Sequence, residues 1–416
     1  MKTKHRSSSA YQAGVILALL AVACWDSHAA PRPTASIRAV VKTDADDGLE
    51  SANTEFAFNL LNELTTEDPG TNIIISPYSA STALQMAASG AAGLTSTQMQ
   101  DTLGTADMAP LDLYRANKEL DELLNNGDTN IVLTAANSLW YLKGFPIEQG
   151  FLMNNADYFG ARIAGLDFGL QSSVDTINAW ASDETHGKID KIVNYPLPPG
   201  LVLLLANAVY FHGNWQNAFD SSQTSNQPFY LSDGTQESVP TMQQATNFDY
   251  YATDNYQAVR LPYQGSNVAM YVFLPAPGVT LPDLMKTMSA AWWQQSVGTF
   301  FTQRTGTLAL PKFSLQCNLD LNQPLQNLGI QLAFTPEANF SKISRSPLQI
   351  SDVKQQAVID VDEQGTVATA VTTITVVTTV AGPDLPFQMT VNRPFMFVIE
   401  DRKAATILFM GAVFAP

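Results

Sequence analysis

Catalysis needs an activated nucleophile, a base or a bound ion, and this chain offers few of them. Four histidines occur in 416 residues: His5 and His28 near the N-terminus, His186 in a Thr-x-Gly-Lys turn and His212 in a Phe-x-Gly-Asn-Trp turn. None has a second ligand at metal spacing, so His186 and His212 read as solvated turn residues. The G-x-S-x-G elbow, the H-E-x-x-H helix, the P-loop and the G-x-G-x-x-G turn are all missing from the sequence. Neither an enzyme nor a metal or cofactor site is expected.

What the chain offers instead is backbone. Residues 363–380 read EQGTVATAVTTITVVTTV, and the fifteen residues after Gly365 contain no charge, aromatic, proline or further glycine. Such β-branched residues favour a pleated strand, yet the AGPDLP that follows (residues 381–386) is turn-like and polar. Natural chains usually break exposed uncharged β-prone runs with charge or proline. Three readings fit the segment by itself: a surface loop able to become a strand, an ordinary buried strand, or a flexible linker. Alternation would put Thr366, Ala368, Ala370, Thr372, Ile374 and Val376 on one face, which begins small enough to slide between packed strands. Glu363 supplies a charged anchor and Gly365 a flexible hinge.

This Glu-x-Gly-Thr opening resembles the proximal hinge of the reactive-centre loop in serpins, the serine protease inhibitor family, and blocks along the chain carry the same resemblance in order. NIIISPYSASTALQMAASGAAGLTSTQMQDTLG (residues 72–104) is similar to the family's buried strand and two following helices, matching at Asn72, Ser76, Pro77, Ser79, Ala83 and Leu84 among others. INAWASDETHGKI (177–189) matches Asn-x-Trp and Thr-x-Gly-Lys-Ile elements, and LANAVYFHGNWQNAFD (205–220) a long central strand and its turn. VNRPFMFVIEDRKAATILFMGAVFAP closes the chain with two strands. The resemblance spans about residues 50–416.

It implies an α+β fold of three β-sheets and about nine helices, with an exposed reactive-centre loop at about residues 363–386. A target protease would attack that loop and form a covalent acyl-enzyme; the cut loop would insert into the main sheet and carry the protease with it. By the family pattern, Glu363, Gly365, Thr366, Ala368 and Ala370 form the hinge, and Lys312 pairs with Glu363 near Trp215, at the breach where insertion starts. Ser76, Ser79 and Asn207 match a hydrogen-bonded shutter under the sheet centre. Gln355 stands there in place of the family's histidine, with Gln356 beside it; an amide still donates and accepts, but the imidazole's pH sensitivity is lost. Val367 replaces a common Glu and reads as outward-facing.

Taking Gly365 as the fifteenth residue before cleavage puts the reactive bond at Thr379–Val380. Counting back from Asn392-Arg393-Pro394-Phe395 lands near Pro383, so the bracket runs from Thr378 to Pro383. No Lys or Arg lies between Gln356 and Val391, which argues against trypsin-like targets. Small β-branched residues suit elastase-like or subtilisin-like serine proteases. A cysteine protease is an alternative target, and a non-inhibitory carrier, chaperone or storage role an alternative function. The small hinge residues favour inhibition.

The remaining sequence supplies the frame. Apolar spacing predicts helices over 55–64, 79–89, 111–124, 173–185, 281–295 and 318–328, and strands over 130–141 and 201–211, the latter buried on both faces. Short strands dominate from residue 229, and intermixed helices and mostly antiparallel strands read as α+β. With 45% hydrophobic residues a chain of this length can bury a large core, and its net charge of −16 argues against nucleic acid or an anionic membrane as partner. Lys2, Lys4, His5 and Arg6 precede an apolar run at 13–23, and Ser27-His28-Ala29 offers a small-x-small cleavage site. Residues 1–29 therefore read as an export signal, 30–49 as a disordered leader and 50–416 as a single domain. A secreted or periplasmic monomer is expected. A rival reading makes Ala21-Val22-Ala23-Cys24 a lipoprotein site, lipidated at Cys24. Cleavage after Ala29 would leave Cys317 alone, unable to form an intramolecular disulfide and read as a small strand residue.

Overall fold

The structure, a computed structural model, describes residues 13–23, 44–125, 131–265, 267–366 and 386–416. The first half of the chain holds β1 (Ala13–Ala23), α1 (Asp44–Glu67), β2 (Ile73–Ile75), α2 (Pro77–Ala88), α3 (Gly93–Thr102), α4 (Pro110–Asn125), β3 (Ile131–Leu142), α5 (Gln149–Phe159), β4 (Arg162–Leu166), α6 (Gln171–Glu184) and β5 (Leu201–Asn214). Then come β6 (Ser225–Tyr230), β7 (Gln236–Ala252), β8 (Tyr256–Pro262), β9 (Val268–Pro275), α7 (Leu281–Lys286), α8 (Ala290–Thr299), β10 (Thr302–Pro311), β11 (Phe313–Asp320) and α9 (Asn322–Asn327). The chain closes with β12 (Leu348–Val361), β13 (Gly365–Thr366), β14 (Phe387–Thr390), β15 (Phe395–Asp401) and β16 (Thr406–Val413).

One sheet of seven strands runs β11-β12-β1-β5-β3-β4, with β13 also on β5. The other nine strands form a network that divides at the long β7. Its early residues pair with β6 and β10, and β10 carries β14; its last residues pass to β8, β9, β15, β16 and β2. These are the three sheets of the expected α+β architecture, with nine α-helices among the described residues.

β5 is the spine of the seven-stranded sheet, and its sequence explains why. Residues 201–211 are buried without a break. Leu204, Ala206, Ala208 and Tyr210 share a core with Ile177, Trp180 and Ala181 of α6. Leu203 and Leu205 face the opposite layer with Ala83 and Leu84 of α2. A strand covered on both faces has no polar side to show, so it reads as a continuous apolar run. Beneath it, Ser76 caps α2 by accepting the Ser79 backbone N–H, and Pro77 occupies the first turn, where its missing N–H costs nothing.

Three boundaries differ from the sequence reading. Helix α1 begins at Asp44, inside the stretch read as a disordered leader; residues 30–43 lie outside the described residues. Its early Leu49 is 1% exposed and packs with Tyr78, Leu113 and Leu120, while Asp44, Asp46 and Asp47 favour the positive N-terminal end of the helix. The single helix expected over 281–295 is two, because Ser289 caps a new start by accepting from Trp292 N–H. Residues 318–320, read as helical, extend β11 against β12. An unpredicted feature is β1: the apolar run read as the core of an export signal lies between β12 and β5.

Because Leu49 is a core residue, Leu49→Ala should cost about 2–5 kcal/mol in urea unfolding. A disordered leader would leave the midpoint unchanged.

Candidate functional site

The candidate site lies where the sheet is entered from above, at the turn between β12 and β13. Glu363 sits in that turn with its side chain 11% exposed, and Lys312 Nζ, between β10 and β11, donates to its Oε2 at 2.7 Å. Thr224 Oγ1 donates to Oε1 at 2.8 Å, and Phe219 N–H donates to the Glu363 carbonyl at 2.7 Å. Burial pushes the Glu363 carboxyl up, but hydrogen bonds from Lys312, its own backbone and Thr224 prevail and hold it below its ordinary value.

Trp215 pins the same turn from the other side. Its backbone N–H donates to Gln364 O at 2.7 Å and its indole Nε1 to Asp362 O at 2.9 Å. The buried indole stacks on Tyr263 at 4.6 Å between ring centroids. The Tyr263 hydroxyl in turn lies 2.6 Å from Thr366 Oγ1. Burial raises the Tyr263 pKa far more than the Thr366 contact lowers it, so the phenol stays neutral.

Gly365 and Thr366 therefore form a short stub of strand already in the sheet. Gly365 pairs antiparallel with Asn214 and Thr366 with Gly213, and Thr366 is fully buried. The approach is too close for any other residue: a Cβ on Gly365 would lie 2.2 Å from the Gly213 carbonyl oxygen. The chain needs glycine here for backbone contact as well as for bending.

Farther down, the shutter residues separate into two groups. Gln355 is fully buried; its Nε2 donates to Ser76 O at 2.9 Å and its Oε1 accepts Ser76 N–H at 3.2 Å. Asn207 instead donates to Asn137 Oδ1 across the β5–β3 pair at 2.6 Å, and Asn137 donates to Phe159 O at 2.7 Å. Ser79 Oγ and Asn207 Oδ1 are buried without a hydrogen-bond partner among the described residues, a costly state that a change of packing could relieve.

The structure brings together Glu363, Lys312, Trp215, Gly365 and Thr366, which the sequence reading grouped as hinge and breach. Of the expected shutter cluster of Ser76, Ser79, Asn207 and Gln355 it joins Ser76, Ser79 and Gln355, whereas Asn207 pairs with Asn137. Ala368, Ala370, Thr378, Thr379, Val380 and Pro383 lie outside the described residues. The sequence reading missed Tyr263, Thr224 and Asn137, which carry no motif; only the alternation of β3 opposite β5 could have pointed to Asn137. It also misplaced His212, which is a half-buried strand residue on β5, its pKa lowered by burial against the pull of Asp362. His186 is a turn residue with φ 51°, packed edge-on at 4.4 Å against Tyr210. Cys317 is half-buried on β11, and burial raises its thiol pKa, as suits a strand residue. Among the described residues no three His, Cys, Asp or Glu side chains converge on a metal site.

Gly365 and Thr366 thus reach the central sheet as a two-residue stub on β5. The sequence pattern of the serpins, serine protease inhibitors, matches residues 51–416. Iripin-2 of Ixodes ricinus is 33% identical over 371 residues, covering 88% of this chain and 93% of its own. Among solved structures, the thermophilic serpin tengpin in its native state superposes with a TM-score of 0.81 at 30% identity, over 91% of this chain and 96% of its own. Human thyroxine-binding globulin complexed with thyroxine gives 0.80 at 28% identity, over 89% and 99%. The chain belongs to the serpin family, whose members are protease inhibitors rather than enzymes.

Glu363→Gln should weaken the hinge by about 1–2 kcal/mol at pH 7, since a charged acceptor is replaced by a neutral one. A lowered carboxyl pKa stabilises the fold fully above the ordinary value near 4.5 and loses that contribution as pH falls through the folded value. The gap between wild type and variant in urea midpoint should therefore close on acidification below pH 4.5. A gap that widens instead would show that the Lys312 pair does not hold Glu363 ionised.

Proposed function

We propose that the chain is an exported, irreversible inhibitor of a serine protease, acting by cleavage within residues 363–386 and insertion of the freed strand into the seven-stranded sheet. The observation that carries this reading is the stub: Gly365 and Thr366 already occupy two rungs on β5, antiparallel to it. Continuing the same register pairs residue 367 with 212, 370 with 209 and 378 with 201. The whole of β5, Leu201–Asn214, is thereby matched by residues 365–378, which ends at the lower edge of the cleavage bracket, Thr378 to Pro383. At about 3.3 Å per residue that strand spans roughly 45 Å, the scale of a domain.

The chemistry belongs to the protease. Its serine Oγ attacks the carbonyl carbon of the residue before the cut, the peptide C–N bond breaks, the new amine takes the proton, and an ester joins the two proteins. Water would normally hydrolyse that ester. Insertion drags the esterified residue along β5 and pulls the protease out of its working geometry. About ten to fifteen ladder hydrogen bonds, each worth ~0.5–1.5 kcal/mol, give a driving force on the order of 10 kcal/mol. That rivals a domain's entire stability, so the uncut loop must be held kinetically. The uncharged stretch after Gly365 and the absence of Lys and Arg up to Val391 favour elastase-like or subtilisin-like targets, with Thr379–Val380 as the bond.

A non-inhibitory carrier is the second reading, favoured by the likeness to thyroxine-binding globulin. The two separate when a chain beginning at Ala30 is incubated with elastase-, trypsin- and subtilisin-type proteases and resolved on a denaturing gel. Inhibition predicts a protease-linked band that survives denaturant with the first or third; clean cleavage with undiminished protease activity rejects it. In the inserted register Ala370 shares the buried face of Thr366. Ala370→Arg should therefore turn the inhibitor into a substrate, because a charge would have to enter the core. An Ala370→Arg protein that inhibits as well as wild type would exclude insertion past that residue.

A further inference from the structure

The place that the cut loop would take is filled. β1 lies between β12 and β5 and pairs parallel with both: residues 13–23 against 348–359, and residues 14–22 against 201–210. β5 and β12 therefore run parallel to each other, and a strand turning back from β12 descends between them in the opposite sense to β1. The stub does so, being antiparallel to β5. Both segments use the same edge of β5. The N-terminal strand covers it up to Tyr210, opposite Val22, and the stub holds Gly213 and Asn214. Phe211 and His212 alone lie between. In the stub's register Val367 would meet His212, Ala368 would meet Phe211, and Thr369 would fall on Tyr210, which is taken.

We infer that residues 13–23 are an autoinhibitory plug: in the full chain they bind the slot between β5 and β12 in parallel orientation and stop loop insertion after Ala368, and their removal arms the protein. The inference rests on the proposed insertion of the loop. Its physics is that of edge pairing. Along its length β1 gives both β5 and β12 a hydrogen-bonded neighbour, so while it is seated neither strand has a free edge on that side to offer another. AGVILALLAVA carries no charge and no proline, so it can pair with both strands along its length and leave water in doing so. The twenty residues 24–43 that join it to α1 reach up to about 70 Å when extended, ample for the plug to be held by its own domain. The cut at Ala29 read from the sequence would sever plug from inhibitor, so the step that ends the precursor also opens the slot.

The test compares three proteins: residues 1–416 made in a membrane-free translation system so that the N-terminus stays attached, the same chain with Leu17→Pro, and a chain beginning at Ala30. Proline removes a ladder donor in the centre of β1 and leaves residues 44–416 unchanged, so it unseats the plug even if the truncated chain folds poorly. By hydrogen exchange, amides of residues 201–210 and 348–359 should exchange at least about tenfold more slowly in the full chain than in either other protein, with residues 13–23 protected as well. With an elastase-type protease, the full chain should be cut without capture, whereas the other two should form the denaturant-resistant band. Equal exchange in the three proteins, or fast exchange at 13–23, overturns the plug. So does equal capture by all three. If the exchange difference is present and none captures a protease, the slot is still the site of residues 13–23 and the inhibitory reading of the loop is what falls.

Discussion

Everything in this molecule answers to one constraint: β5 and β12 are parallel neighbours held one strand apart in the middle of a seven-stranded sheet. Parallel strands cannot close on each other through a hairpin, and buried backbone groups cannot go unpaired. β1 stands between them and pairs with both, and the proposed insertion would bring in a second candidate of opposite polarity. One is covalently distant and runs parallel; the other is attached to the end of β12 and runs antiparallel. The choice between them is not decided by apolar content, because both are uncharged. On the proposed mechanism it is decided by which is still tethered and which has been cut.

The mouth of the slot is where that choice is held. Glu363, Lys312 and Thr224 fix the turn by charge-assisted hydrogen bonds, Trp215 fixes it by two bonds to its carbonyls, and Tyr263 meets the first inserted hydroxyl at Thr366. Each of these contacts is made with the chain as it stands, so each would stabilise the starting state of the proposed insertion as well as its first rungs. Gly365 lets two backbones touch at this point, and Gly213 leaves room for two rings: a Cβ there would lie 2.9 Å from the Phe211 and Tyr263 side chains. A hinge built in this way need not bend freely. It keeps two rungs formed and leaves the rest of the ladder for later.

What the sequence made legible, and what it did not, follows from the range of the forces involved. The α+β fold, the buried run of β5 and the capped start of α2 leave local traces, periodicity and a Ser-Pro cap, whereas the Glu363–Lys312 pair was legible only through the family resemblance. Tyr263 and Thr224 leave none, because they reach the hinge from loops and strands more than a hundred residues away. Asn137 was invisible for a similar reason, since its partner is set by the register of β3 on β5. The N-terminal strand illustrates a different limit. An apolar run of eleven residues suits an export signal and a sheet centre alike, and its pairing with β5 and β12 depends on residues more than a hundred positions away.

Gln355 shows how the interior and the mouth of the slot are separated in their response to acid. Its amide binds both backbone groups of Ser76, does not titrate, and so gives the shutter the same strength at pH 5 and pH 8. Glu363 changes only below its ordinary value near 4.5. Between them His212 sits on one of the two rungs of β5 that neither segment fills. Burial lowers its pKa, so as pH falls below the ordinary value near 6.5 each proton favours the state in which His212 is hydrated. Insertion would place Val367 beside that imidazole and bury it further. On the proposed insertion, mild acid would work against the first step past the stub, while Gln355 gives the shutter below no titrating group.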